Sequence, residues 1–221
     1  MKNIAVILAG GSGKRFGGDK PKQLLPLSDG RSVLEHAVGA FRACPCISDV
    51  LVVMHPDYID EVSALLGCTV VPGGRERWES SVHAIEALQQ SVSAEEWADV
   101  NILIHDAARP FVSSRIITDV CEALLSHEAV TVAVPSTDTV YRLSPDGCVA
   151  EIPDRSTIMR AQTPQAFRLP LIAEAYRLAL QDPALQATDD CGILFRYIPS
   201  APIHIVSGEE QNRKITFPSD L

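Results

Sequence analysis

A short apolar run, Asn3-Ile4-Ala5-Val6-Ile7-Leu8, is stopped by Gly10-Gly11 almost as soon as the chain begins. It shows no polar alternation, so it reads as a strand buried on both faces, and such strands belong to parallel sheets sandwiched between helices. The chain then repeats the theme. Ser32-Val33-Leu34-Glu35 has the spacing of a capping box, and Val33, Leu34, Ala37, Val38 and Phe41 follow at helical intervals up to Cys44-Pro45. Strands are expected at 50–54, 69–71, 102–104 and 130–134. Between them, helices are expected from Asp57 (carrying Ile59, Val62, Leu65 and Leu66), over 77–90, and over 114–126 with Ile116, Ile117, Val120, Leu124 and Leu125 on one stripe. The expected fold class is α/β, Rossmann-like, with a mostly parallel sheet and helices on both faces.

After residue 134 the character changes. Tyr141-Arg142-Leu143 and Val149-Ala150-Glu151 flank the turn Ser144-Pro145-Asp146-Gly147, which predicts a hairpin arm. Helices at 170–180 and 188–195 and a strand at 203–206 complete the reading. Nothing divides the chain, so one domain over 1–221 is expected, with an arm at about 137–163.

Of the 221 residues, 46% are hydrophobic and 21% charged, enough for one sizeable core and unlike a disordered chain. Lys and Arg number 19 against 28 Asp and Glu. A net charge of −9 argues against nucleic acid as a bulk electrostatic partner, so an anionic ligand has to meet a local basic cluster. No apolar run approaches the roughly 20 residues of a bilayer span, and Met1-Lys2-Asn3 does not begin a signal peptide, so the expected location is the cytoplasm. Six cysteines without a C-x-x-C pair suggest free, mostly buried thiols.

Open parallel sheets bind ligands beyond the carboxyl ends of their strands. The first such loop, Leu8 to Gln23, holds five glycines, with Lys14, Arg15, Lys20 and Lys22 against Asp19. Backbone N–H groups freed by glycine and a local positive charge point to phosphate binding. It is not a Walker A loop, because Gly13-Lys14 is followed by Arg15 rather than a hydroxyl residue. It is not a dinucleotide fingerprint either, because Phe16 stands where the third glycine belongs. The second loop, Gly73-Gly74-Arg75-Glu76-Arg77, opens a helix that attracts anions, though alone it reads equally as a solvated first turn. In the third, Asp106-Ala107-Ala108-Arg109 sets a hard carboxylate and a cation at a strand end, as a metal-phosphate site does. An isolated Asp there is more often a helix cap. His105 has no partner at metal-ligand spacing and reads as structural. In the fourth, 135–140, 154–155 and 160–165 concentrate polar residues on the arm, for a ligand, another subunit or ordinary hairpin polarity.

The motifs that carry a family resemblance are L-A-G-G-x-G-x-R with Pro21-Lys22-Gln23, Gly73-Gly74 with Arg77 and Ser80-Ser81-Val82, and Asp106-Ala107-Ala108-Arg109-Pro110. Asp138-Thr139, Asp154-Arg155, Gln162-Thr163-Pro164-Gln165, Thr188-Asp189-Asp190 and Lys214-Ile215-Thr216 complete the set. Together, over essentially the whole chain, they resemble the 2-C-methyl-D-erythritol 4-phosphate cytidylyltransferases of the non-mevalonate isoprenoid pathway, within the sugar- and polyol-phosphate nucleotidyltransferases. Arg213, where the family often has an apolar residue, and an end at Leu221 depart from its pattern.

The resemblance implies transfer of a cytidylyl group from CTP to methylerythritol phosphate with release of pyrophosphate. It makes Arg15 and Lys22 the catalytic cations, and Ala9, Gly10, Gly11, Gly13, Gly74, Arg77, Ser80 and Ala107 the nucleotide site. Asp106, Arg109, Thr139, Arg155, Thr163, Thr188 and Lys214 would hold the polyol phosphate, with Mg2+ bridging phosphates near Asp106 or bound to it directly. Thr139 and Arg155 would come from the partner's arm in a homodimer. Ribitol- or ribulose-5-phosphate cytidylyl transfer is the alternative, since polyol details are not visible in a sequence. A nicotinamide oxidoreductase is disfavoured by the broken fingerprint, and a non-catalytic CTP-binding regulator would bind CTP without releasing pyrophosphate.

Overall fold

A computed structural model of the chain describes residues 1–11, 20–93 and 95–220. The first half alternates as expected, with β1 (Lys2–Ala9), α1 (Val33–Arg42), β2 (Asp49–Met54), α2 (Ile59–Leu66), β3 (Thr69–Pro72), α3 (Arg77–Ser91) and β4 (Val100–Asp106). Then come α4 (Ser114–Ala123), β5 (Ala129–Pro135), β6 (Arg142–Leu143), β7 (Val149–Glu151), β8 (Met159–Arg168), α5 (Leu169–Ala179), α6 (Asp190–Tyr197) and β9 (His204–Ser207). Seven strands form one sheet in the order β3-β2-β1-β4-β8-β5-β9, in which only β8 runs against its neighbours.

The unbroken apolar runs follow from two packed faces. On β1, Ile4, Val6 and Leu8 meet Ala84, Ile85 and Leu88 of α3 and Ile172 and Tyr176 of α5, while Ala5, Ile7 and Ala9 meet Leu34 and Phe41 of α1 and Ile116 and Val120 of α4. Each fully buried aliphatic side chain contributes about 1.5–3 kcal/mol, so truncating one of the central-strand isoleucines to alanine costs about 2–5 kcal/mol. The capping box of α1 is present, with Ser32 Oγ accepting from the Glu35 N–H and Glu35 from the Ser32 N–H.

Three expectations need correction. First, α4 stops at Ala123, because the N–H groups of Ser126 and His127 both turn back to its carbonyl. Leu125, placed on the buried stripe, is therefore 73% exposed. Second, α2 covers only the margin of the sheet: Val62 is buried, but Leu65 is exposed. Third, the arm ends earlier than 163. Met159 already pairs with Pro135, and 159–168 is the long strand β8 inserted between β4 and β5. Its glutamines looked like surface polarity, yet Gln162 and Gln165 are buried with their amides hydrogen-bonded. Thr163-Pro164 falls at the irregularity where the register passes from Thr131↔Gln165 to Val132↔Gln162, a position that tolerates a residue without an N–H. Among the described residues no helix is long and apolar enough to cross a membrane, and all six cysteines are free, three of them buried.

Candidate active site

The carboxyl ends of β1 and β4 and the loop after β3 open onto a cleft of about 460 Å³, within the range of small-ligand sites. One wall is backbone against backbone. A Cβ added at Gly10 would lie 3.2 Å from the Gly73 Cα, and one at Gly73 would lie 3.1 Å from the Gly10 Cα, with Ser80 Oγ close to both. Only glycines let the two loops approach this far. The Gly74 N–H donates to Ser80 Oγ at 3.1 Å, and a Cβ at Gly74 would collide with that of Glu79. Glu79 lies there because its carboxylate accepts from the backbone N–H groups of Arg75 and Glu76, closing the capping box of α3. The sequence thus builds a tight, glycine-lined wall whose N–H groups gather at a helix start.

The floor is a chain of ionic hydrogen bonds. Arg77 donates through Nε to Asp106 Oδ1 at 3.1 Å and through Nη1 to Asp190 Oδ2 at 2.7 Å. Asp106 Oδ2 accepts from Lys214 Nζ at 2.7 Å, and Asp190 Oδ1 from the Tyr176 hydroxyl at 2.6 Å. Burial pushes the Asp106 carboxyl up, but the charges of Arg77, Lys214 and Arg109 outweigh it and hold it well below the usual carboxylate range. Burial likewise pulls Arg77 down, and its two carboxylates reverse that and keep the guanidinium charged. Buried charges are tolerated only when paired and hydrogen-bonded in this way.

A strap over 208–216 completes the far wall. It is tied down by the Gly208 N–H to the Ala133 carbonyl and by the Ile215 N–H to the Ala108 carbonyl at 2.7 Å. Buried Asn212 donates to Gln162 Oε1 and to the Thr163 carbonyl, and its own carbonyl accepts from Arg109 Nη1 at 2.8 Å. Lys22, in the short 3-10 turn after Pro21, donates through Nζ to the Ile215 carbonyl at 2.7 Å. The nucleotide-side lysine expected from sequence and the strap that carries Lys214 are therefore in direct contact. Arg213, the departure from the family pattern, faces away and lies over the Phe111 ring at 6.0 Å.

Of the residues expected from sequence, Gly10, Gly11, Lys22, Gly74, Arg77, Ser80, Asp106, Thr188 and Lys214 line this one cleft. Ala9 and Ala107 do not line it; both are buried in the core cluster that packs against α1 and α4. Arg109 and Thr163 stand behind the cleft. Burial lowers the pKa of Arg109, and the Thr163 hydroxyl is taken up by the Asp106 N–H and by His105. Thr139 and Arg155 lie on the exposed arm, where Arg155 donates to the Thr137 carbonyl. Gly13 and Arg15 fall outside the described residues. The sequence reading missed Gln23, Arg75 and Glu76 as lining residues and Asp190, Tyr176, Gln165 and Asn212 as supports. The doubled Asp189-Asp190 was visible as a motif, but the partner that gives Asp190 its place, Arg77, is 113 residues away.

The donor set does not make a metal cage. Among the described residues no group of three or more His, Cys, Asp or Glu is arranged to hold an ion, and both Asp106 oxygens already accept from cations. Direct ligation by Asp106 would have to displace Lys214 or Arg77.

Comparisons with known proteins place the chain in a family. Residues 3–221 match the family model described as IspD, 2-C-methyl-D-erythritol 4-phosphate cytidylyltransferase. A 2-C-methyl-D-erythritol 4-phosphate cytidylyltransferase of Thermobifida fusca is 44% identical over 229 residues, covering 98% of this chain and 89% of its own. The bifunctional ribulose 5-phosphate reductase/CDP-ribitol pyrophosphorylase of Haemophilus influenzae is 35% identical over all of this chain, which spans 47% of that protein. The crystal structure of 4-diphosphocytidyl-2C-methyl-D-erythritol synthase from Anaerococcus prevotii superposes with a TM-score of 0.84 at 29% identity, covering 99% of this chain and 92% of that one. With residues 3–221 matched by the family model and a relative 44% identical over 98% of it, the chain belongs to the 2-C-methyl-D-erythritol 4-phosphate cytidylyltransferase family.

Proposed function

We propose that the cleft carries out the family's reaction, in which the cytidylyl group of CTP passes to 2-C-methyl-D-erythritol 4-phosphate and pyrophosphate leaves. The observation that carries this reading is the convergence of Gly10, Gly74 and Ser80 with Lys22, Asp106 and Lys214 on one cleft. An oxygen of the substrate phosphate attacks the α-phosphorus of CTP in line with the departing pyrophosphate. No protein nucleophile is required, so the protein contributes positioning and charge. Lys22, with Arg15 from outside the described residues, neutralises charge that builds on the α-phosphate and leaving group. The glycine wall and Ser80 receive the nucleoside, a pyrimidine fitting a cleft narrowed by the Gly10–Gly73 approach.

Asp106, Thr188 and Lys214 line the polyol-phosphate half, with Arg109 behind them. The paired state of Asp106 argues against direct ligation, so a divalent cation, Mg2+ by expectation, would arrive on the triphosphate rather than sit in a protein cage. A homodimer fits the exposed arm, with Thr139 and Arg155 of each chain completing the other's site, and phosphorylated small substrates fit a cytoplasmic enzyme.

Pyrophosphate release measured with CTP against a panel of polyol phosphates tests the reading. The expected result is highest kcat/KM with 2-C-methyl-D-erythritol 4-phosphate and with CTP over ATP and GTP. A higher value with ribitol 5-phosphate moves the assignment to the chemistry named for the Haemophilus influenzae relative. An equal value for a purine triphosphate refutes the pyrimidine pocket.

A further inference from the structure

His105 interrupts the apolar run of β4, is fully buried, and packs its ring against Phe41 of α1 at 4.9 Å between centroids. A leucine or phenylalanine would pack there without any polar atom to satisfy. The imidazole instead uses both nitrogens. Nε2 lies 3.0 Å from the Arg109 carbonyl, which only accepts, so Nε2 carries the proton. Nδ1 lies 3.0 Å from Thr163 Oγ1, and that oxygen accepts from the Asp106 N–H at 3.1 Å. The single hydroxyl proton of Thr163 therefore points to Nδ1, and one directed relay runs from the Asp106 N–H through Thr163 and His105 to the Arg109 carbonyl. It requires a neutral ring, and burial lowers the His105 pKa to about 4. The Arg109 N–H also donates to the Asp106 carbonyl at 2.9 Å, so the turn that presents both side chains is closed at each end.

We propose that His105 is a positioning residue for the polyol-phosphate half of the site, setting the Asp106–Arg109 turn through its Thr163 and Arg109 hydrogen bonds. The proposal rests on the reading of Asp106, Arg109 and Lys214 as that half. None of the hydrogen bonds of the glycine wall passes through the relay, and Arg77, which meets Asp106, keeps its own anchor on Asp190. Its loss should therefore fall on one substrate and spare the other, which a general loss of packing would not do.

His105→Leu puts an apolar side chain of similar bulk in its place and removes both hydrogen bonds. His105→Gln offers an acceptor and an N–H on one carbon, spaced much as the two ring nitrogens are. In steady-state kinetics on the full-length protein, His105→Leu is expected to raise KM for the polyol phosphate about tenfold, as losing the hold of a buried hydrogen bond does. KM for CTP should stay within about twofold, and His105→Gln should recover most of the loss. Equal rises in both KM values, or no recovery in a folded His105→Gln protein, overturn the proposal. Thr163→Val, which removes only the middle hydroxyl, carries the same expectation if His105→Leu does not fold. Arg109→Ala separates the two levels of inference. A raised polyol-phosphate KM in Arg109→Ala with wild-type values in His105→Leu and Thr163→Val overturns the relay alone. An unchanged KM in Arg109→Ala overturns the reading of that half and the relay with it.

Discussion

At the floor of the cleft, Arg77, Asp106, Asp190 and Lys214 hold one another through hydrogen bonds of 2.7 to 3.1 Å, and Asp190 is fully buried. On the arm, the Arg142–Glu151 pair is as short at 2.6 Å, but its side chains are 66% and 50% exposed. Val140, Tyr141, Leu143, Val149 and Ile152 there face solvent too. Distance alone would rank the two regions alike, whereas burial separates them. Asp190 has no water to fall back on and Asp106 little, so each is fixed by its partners, while a solvated pair loses little when broken. The floor is thus set by one chain before any substrate arrives. The arm is a two-stranded hairpin too small to be stable by itself, and it leaves its apolar side chains exposed.

The largest effect is expected at Lys22, the cation proposed to meet the reacting phosphates. Lys22→Ala should lower kcat by about 100- to 1000-fold, as removing a preorganised charge does, with little change in Tm. Stopped-flow or coupled pyrophosphate assays beside thermal denaturation check it, and near-wild-type turnover would remove Lys22 from catalysis. Mixing Lys22→Ala with Arg155→Ala sharpens the contrast between the regions. If arms are exchanged across a two-fold axis, random subunit exchange restores about a quarter of the wild-type sites, because half the dimers are mixed and one of their two sites is intact. No recovery despite demonstrated exchange would return the arm to its own chain.

Asp190→Ala should destabilise the fold by about 3 kcal/mol, since it leaves the Arg77 guanidinium half-paired in a largely buried position. Arg142→Ala on the arm should leave the denaturation midpoint where it was. Equal effects of the two would erase the distinction drawn between floor and arm.

A pH series gives the most gradual effect, spread over more than two pH units. His105 is held near a pKa of about 4 in the fold against about 6.5 for a free imidazole. A depressed pKa means the unfolded chain takes up the proton first, so the stability from this group is full above about 6.5 and is lost as pH falls toward 4. At most about 3 kcal/mol rides on it. Denaturation midpoints between pH 7 and 4 should fall less steeply in His105→Gln than in the wild type. Parallel profiles would mean that His105 is not the neutral, buried group described.

The alternation of strands and helices was legible because burial on both faces leaves a local mark: an apolar run for a strand, an apolar stripe for a helix. The first five strands, the capping box at Ser32 and Glu35 and the hairpin turn at 144–147 were read from neighbours a few residues apart. The glycine wall was legible as well, because close backbone approach demands the one residue without a side chain, and the doubled glycines at 10–11 and 73–74 announce it.

What the sequence could not show was pairing at a distance. Strand β8 stayed hidden because its buried amides and hydroxyl are polar, and their partners lie on 105–106, 189–191 and 209–212. The Asp190–Arg77–Asp106–Lys214 chain likewise spans four separate segments. A residue's type and its near neighbours determine whether it can enter a strand, a helix or a tight turn, and that much was written in the chain. Whether a buried polar group is tolerated depends on the donor or acceptor that meets it, and only the folded sheet brings those two together.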